Sequence, residues 1–406
     1  MTDMIKKSTR RIEMNYALVQ GFYWSSACTL GGFAAVFLGS RGLSNAQTGL
    51  AVALISVLTI VLQILLSDFS DRHRELPLKR TISVIYTVVI ALSAVMSFVS
   101  LPAALLIAVY VVASALSNSQ NGLLNAQLMQ YRNVGIPASY GWPRGVGSVF
   151  YAVSAYFFGL AVERYSAGVL LRLYIVFAVL AMASVLAMAD PDSLARSLGT
   201  HSDKAAHGSS VSYLRMLLQN PTLVLYLLVL IVSAIGQAAG NTFLIRVIEA
   251  AGGGTREFGL AIFIQAGVEL PVMCAASRIL SYIKAKHVLV FSFFCFCLRM
   301  VLLSQASSLP MIYGIASLNL FCFGLYGFAT VFFVNSLVPD GQAVRAQSLA
   351  TLCYTGGIGG ILGNVLAGNL LDRFGLRVPL LVGAGICLIA ALLMLVCCRV
   401  HTKRFE

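Results

Sequence analysis

The chain is a succession of apolar blocks separated by short polar turns, and the blocks lack the apolar–polar alternation of half-buried strands. Each block is long enough for a helix to cross the hydrocarbon layer, which takes about 20 residues. Twelve spans are predicted, at 14–39, 45–67, 81–99, 102–126, 143–162, 168–188, 219–243, 256–279, 287–304, 309–335, 346–370 and 377–398. An even number leaves both termini on one face of the membrane. The pattern predicts an all-α integral membrane fold.

Residues 190–218 depart from this pattern. They carry Pro191, Ser193, His201, Asp203, Lys204, His207, Ser209 and Ser210, and read as a polar central linker. It divides the chain into six-helix halves at 1–189 and 219–406. The halves also repeat. Gly49-Leu50-Ala51 opens the second span, and Gly259-Leu260-Ala261 opens the eighth, 210 residues later. The fifth span closes on Gly159-Leu160-Ala161-Val162-Glu163-Arg164-Tyr165. The eleventh closes on Gly368-Asn369-Leu370-Leu371-Asp372-Arg373-Phe374, 209 residues later. The common offset points to a tandem duplication.

Composition agrees with burial in lipid. Hydrophobic residues make up 59% and charged residues 11% of the 406 positions, against about 25% charged in a soluble domain. Mean hydropathy is +0.86, and the blocks are too long and continuous for barrel strands. The net charge of +13 does not call for nucleic acid, because 20 of the 28 Lys and Arg fall in the termini and in alternate loops. That asymmetry marks those segments as cytoplasmic. All nine cysteines lie in or at the ends of spans without metal-ligand spacing, so they read as packing residues. No histidine lies inside a span. A membrane metal site, a His-based relay and enzyme activity are therefore not expected. No cleaved signal peptide is expected either.

The few polar groups inside spans carry the chemistry. Of 15 acidic residues, Glu269 is the one that falls mid-span. A charge at that depth costs several kcal/mol unless it faces a cavity or a partner, and marks a functional site by default. Two buried arginines are available, Arg144 near the start of the fifth span and Arg299 in the ninth. Glu269 can pair with Arg299, it can pair with Arg144, or Arg144 can be left to attract an anionic or hydroxyl-rich solute. Tyr151 lies two helical turns after Arg144, so both can share a face. Gln237 and Asn241 are one turn apart in the seventh span, and Trp24 with Tyr23, Ser25 and Ser26 can line a cavity from the first. Six glycines in the eleventh span, from Gly356 to Gly368, read as helix-packing positions that also permit bending.

These residues resemble those of a known group. The chain looks like a major facilitator transporter over its whole length, and within that superfamily resembles the lactose permease-like oligosaccharide–proton symporters. The phenylpropionate permease-like group is a competing match. The loop Ser67-Asp68-Phe69-Ser70-Asp71-Arg72-His73-Arg74 is similar to the superfamily's gating signature, with Asp71 and Arg72 as its acid and arginine and with Ser67 in place of the first glycine. The turn Gly254-Thr255-Arg256-Glu257-Phe258-Gly259 is similar to the one ahead of the permease's eighth span. By this resemblance Glu269 and Arg144 fall on sugar-binding residues, Tyr151 on a stacking aromatic and Arg299 on an arginine linked to proton coupling.

The departures are equally specific. The fourth-span carboxylate of the family is replaced within Asn125-Ala126-Gln127, and its tenth-span His and Glu by Asn319 and Cys322. Two buried acid–base pairs are replaced by Gln237 with Gly356 and by Gly240 with Ala316. Losing both members leaves no uncompensated charge. The resemblance implies the major facilitator fold of two six-helix pseudo-repeats, both termini cytoplasmic, with a site between the halves. It also implies a monomeric multi-pass protein of the bacterial inner membrane, without cofactor, that contacts lipid and a small-molecule solute. The expected function is secondary transport of a sugar-like solute, a proton-linked symport in which Glu269 binds both solute and proton. Uptake of an aromatic carboxylate, uncoupled uniport and export are the alternatives.

Overall fold

The computed structural model is entirely helical among its described residues, which are 2–73, 76–99, 101–191, 193–194, 213–339, 342–354 and 356–405. Contacts divide the chain into two compact units, Met1–Phe37 with Val57–His207, and Leu38–Ser56 with Gly208–Glu406.

The first unit contains α1 (Thr2–Ala27), which runs on through a π-helical turn at Cys28–Gly32. The next helices in the chain are α2 (Ala34–Ser40) and α3 (Asn45–Arg72), followed by α4 (Leu78–Phe98), α5 (Ala103–Asn133), α6 (Gly141–Tyr165) and α7 (Val169–Leu186). Here α1 packs on α6 and α7, and α4 packs on α5 and α7. Pro77 and Pro102 precede α4 and α5, where a missing N–H leaves no helical bond unmade.

The second unit holds the end of α2, from Leu38, and the head of α3. It continues with α8 (Tyr213–Gln219), α9 (Pro221–Thr242), α10 (Leu244–Ala250), α11 (Thr255–Cys274), α12 (Ala276–Tyr282) and α13 (Ala285–Ser304). The last helices are α14 (Leu309–Ser317), α15 (Phe323–Leu337), α16 (Ala343–Cys353), α17 (Ile358–Phe374) and α18 (Arg377–Phe405). In this unit α9 packs on α17 and α18, and α13 on α15 and α18. A Cβ on Gly359 would meet Ala234 at 2.6 Å, and one on Gly363 would meet Ala238 at 2.8 Å. Gly359 and Gly363 therefore serve close helix packing, whereas a Cβ on Gly356 would meet nothing within 4 Å. The head of α3 lies on the end of α17: Gly49 faces the Asn364 carbonyl, Gly368 faces that of Asn45, and neither has room for a side chain. Asp372 accepts the Asn45 and Ala46 backbone N–H groups at 3.0 and 2.7 Å, which places a carboxylate on the positive end of α3.

Ten described helices are long and apolar enough to cross a membrane, and the bent pair Lys6–Gly32 with Ala34–Ser40, at 46°, makes an eleventh. The predicted eighth span, 256–279, is instead divided at Ala275 into α11 and α12. Pro271 lies just upstream and removes a helical donor. The tenth span is interrupted at Leu318–Leu320, a 3₁₀ turn, and the eleventh breaks between Cys353 and Ile358.

The duplication is visible in the backbone. Phe33 and Phe243, 210 residues apart, break the first and seventh spans with φ of −101° and −105°. Gly42 and Gly252, at the same offset, both turn through φ +83°, a region that glycine enters without strain.

Candidate functional site

In the first unit, three of the predicted residues meet. Trp24 on α1 lies under Arg144 on α6, with the guanidinium carbon 4.2 Å from the ring centroid. Tyr151, two turns further along α6, meets the same indole edge-on at 6.2 Å between centroids. Gly147 makes this possible, because a Cβ there would stand 2.6 Å from Trp24 Cδ1. Arg144 Nη1 donates to Ser148 Oγ at 3.1 Å.

A polar ladder fixes the indole from the other side. Trp24 Nε1 donates to Gln20 Oε1 at 3.0 Å, and Gln20 Nε2 donates to Tyr16 Oη at 2.6 Å. Tyr16 Oη donates to Asn125 Oδ1 at 3.0 Å. Tyr16 and Gln20 are fully buried. Neither was singled out from the sequence, although Tyr16, Gln20 and Trp24 recur every fourth residue and so share one helix face. Asn125, which stands in the stretch that replaces a family carboxylate, holds the end of this ladder.

In the second unit the predicted residues separate into three groups. Glu269 Oε1 accepts from Asn319 Nδ2 at 3.0 Å, and Asn319 is held in the interrupted tenth span. Arg299 is 1% exposed. Its Nη1 donates to Asn241 Oδ1 at 2.9 Å and its Nη2 to the Gly240 carbonyl at 3.4 Å. The ion pairs among the described residues do not include one between Glu269 and Arg299, and each bonds to a neutral partner. Gln237, fully buried, donates to Ser233 Oγ at 2.7 Å and accepts from Tyr354 Oη at 3.2 Å. Tyr354 sits at the break between α16 and α17 and stacks on Tyr326, 4.5 Å between centroids.

The helix interruptions are thus the points where polar side chains are delivered, Asn319 by one and Tyr354 by another. Interrupted helices do this because their freed backbone groups can be satisfied only where protein or water surrounds them. At the end of α3, Arg72 Nε pairs with Asp68 Oδ2 at 2.9 Å, an exposed contact within one helix turn. The side chain of Asp71, its expected companion, lies outside the described residues.

Comparisons with known proteins agree with this architecture. The MFS_1 like family matches residues 14–381. A point mutant of the nucleoside transporter NupG superposes with a TM-score of 0.77 at 15% identity, covering 96% of this chain and 99% of that one. NupG itself gives 0.72 at 17% identity, covering 96% and 98%. A bacterial homologue of the human lysosomal transporter Spinster, inward-facing and unoccupied, gives 0.72 at 13% identity and covers 98% of both chains. At these identities the likeness is one of fold. A search of curated proteins found no match.

Proposed function

Because the chain belongs to the MFS_1 like family, we propose that it is a secondary transporter for a small polyhydroxylated solute carrying a flat or ring-shaped face. It works by alternating access through twelve spans, α11 and α12 together forming the eighth, in a bacterial inner membrane with both termini cytoplasmic. The observation that carries this reading is the seating of Arg144 on Trp24 beside Tyr151. A guanidinium offers a fixed fork of N–H donors that suits vicinal hydroxyls, and aromatic faces accept a sugar ring or a base. Nucleosides, the solutes named for NupG, combine the two.

In the second unit, Glu269 with Asn319 is the proton-exchanging group in this proposal. Gln237, Asn241 and Arg299 position the helices around it. One observation favours a carboxylate solute instead: among the described residues of the first unit, no acid accepts from Arg144, whose bond is to Ser148.

A thermal-shift screen of the purified protein against sugars, nucleosides and aromatic acids tests the solute class. Stabilisation by nucleosides or sugars that disappears in Arg144→Gln is expected. Stabilisation by aromatic acids alone would transfer the reading to carboxylates. In proteoliposomes, Glu269→Gln is expected to abolish concentrative uptake and to leave exchange. Full accumulation by that variant would remove Glu269 from coupling.

A further inference from the structure

The first turns of α1 and the segment leading into α6 border an open surface cavity of about 480 Å³ that takes no part in the site above. Lys6, Thr9 and Arg10 supply its polar lining, and Met14, Pro137 and Trp142 its apolar lining. Its volume is within the ~300–1,000 Å³ of ligand pockets. Lys6 and Arg10 are four residues apart on the helix, so their heads converge on one face. Among the described residues neither takes part in an ion pair. The Thr9 hydroxyl is buried and makes no hydrogen bond there.

The one acid at the cavity is already engaged. Glu13 Oε1 accepts the Ser139 backbone N–H at 2.6 Å, and Oε2 accepts Trp142 Nε1 at 3.1 Å. These bonds engage both carboxylate oxygens and clamp the indole, and the cavity keeps two cations against one anion. Met14 remains 50% and Trp142 42% exposed. The cavity thus offers unpaired positive charge beside an exposed apolar edge. The charge asymmetry of the sequence places this end of α1 at the cytoplasmic surface.

We propose that this cavity binds the headgroup of an anionic phospholipid of the cytoplasmic leaflet, with Lys6 and Arg10 on the phosphate and Met14 and Trp142 against the start of the acyl chains. A lipid matches both halves of the lining, whereas a free phosphate would use only the cations. Interfacial tryptophan and clustered Lys and Arg are the expected elements of such a site. The location gives it a consequence. Trp142 is the second residue of α6, two before Arg144, so an occupied cavity steadies the start of the helix that carries the solute-binding arginine.

The chain has two tryptophans, so Trp24→Phe leaves Trp142 as the single tryptophan, excited selectively at the red edge of its absorption where tyrosine does not absorb. That variant is placed in nanodiscs of phosphatidylcholine containing a minority of phosphatidylglycerol, with bromine quenchers near the carbonyl end of either lipid. At ~1 kcal/mol for each Lys or Arg near the surface, the two cations give about a 30-fold enrichment of the anionic lipid. Trp142 should be quenched far more strongly by brominated phosphatidylglycerol than by brominated phosphatidylcholine. Lys6→Gln with Arg10→Gln should erase that difference. Lys7→Gln with Arg11→Gln, which removes the same charge from the same helix turns, should keep it. Equal quenching by the two lipids would overturn the proposal. Equal loss in both double variants would reduce the site to a diffuse basic surface, and relief of quenching by inorganic phosphate would assign the cavity to a free anion.

Discussion

Adding one methyl group at Gly147 tests the aromatic–guanidinium platform directly. The new Cβ would stand 2.6 Å from Trp24 Cδ1 and 3.3 Å from the Gln20 carbonyl. Carbon atoms settle at about 3.5–4.0 Å, so the indole must retreat by roughly 1 Å. Its Nε1–H, now 3.0 Å from Gln20 Oε1, leaves hydrogen-bonding range, and the 4.2 Å contact of the Arg144 guanidinium with the ring lengthens. The lost hydrogen bond accounts for ~1 kcal/mol, and the overpacking around the displaced ring with the weakened cation–π contact for about another. Gly145 supplies the control. It lies on the same helix, and a Cβ there meets nothing within 4 Å. Both alanines gain the same helix propensity, up to ~1 kcal/mol, so that contribution cancels between them. Gly147→Ala should therefore be ~2 kcal/mol less stable than Gly145→Ala by thermal unfolding. Its solute affinity should fall by roughly tenfold or more, at 1.4 kcal/mol per decade. If the two variants melt together and bind alike, the platform does not hold the solute.

Two further outcomes can be checked on the same melting assay. Asn241→Ala leaves the buried Arg299 without its 2.9 Å acceptor and should destabilise by ~2–3 kcal/mol, whereas Arg299→Met removes the charge itself and should lie within ~1 kcal/mol of the parent; the reverse order would show that the arginine, not its satisfaction, holds the second unit. Ser166 ends α6 at φ 76° and ψ 165°, a region almost reserved for glycine, and its repeat partner Gly375 ends α17 at φ 71° and ψ −172°. Ser166→Gly should raise stability by ~1–3 kcal/mol, and an unchanged or lower melting temperature would deny the strain.

How much of this was legible in the sequence varies with the range of the interaction. Span positions follow from hydrophobic block length, which is a local property, so most helices fall where the pattern puts them. The duplication is legible because short matching motifs open and close corresponding spans at nearly one offset. The interruptions in the eighth, tenth and eleventh spans were not read, because an apolar run looks the same whether its helix is continuous or broken. Trp24, Arg144 and Tyr151 were chosen for their depth and spacing, and they do meet. Gln20 and Tyr16 escaped because an uncharged polar residue in a span raises no alarm on a charge count. The pairing of Glu269 with Arg299, one of three arrangements the sequence left open, follows from charge economy alone. Economy cannot see that a carbonyl of Gly240 and an amide at Asn241 lie within reach of the guanidinium.

Asn319 gives the missing proton relay a different meaning. In the resembled permeases the tenth span carries charged or titrating groups, and their replacement by an amide looks like a loss. An amide, however, presents a donor edge and an acceptor edge. Its Nδ2 donates to the Glu269 carboxylate at 3.0 Å, while its Oδ1 is buried and makes no hydrogen bond among the described residues. A protonated Glu269 needs an acceptor instead, and a turn of the terminal amide torsion, which is broad and nearly two-fold, brings Oδ1 to it. One residue can therefore satisfy both protonation states, whereas an arginine or lysine would hold the carboxylate in its charged form. Asn319→Leu keeps the branched shape and removes both edges. Hydrogen bonds to charged groups are worth ~1.5–3 kcal/mol, so solute-driven proton uptake should fall by tenfold or more while exchange persists. Asn319→Ser, a donor and acceptor in one hydroxyl, should retain part of the coupling. Undiminished proton uptake by Asn319→Leu would mean that Glu269 exchanges its proton without the amide.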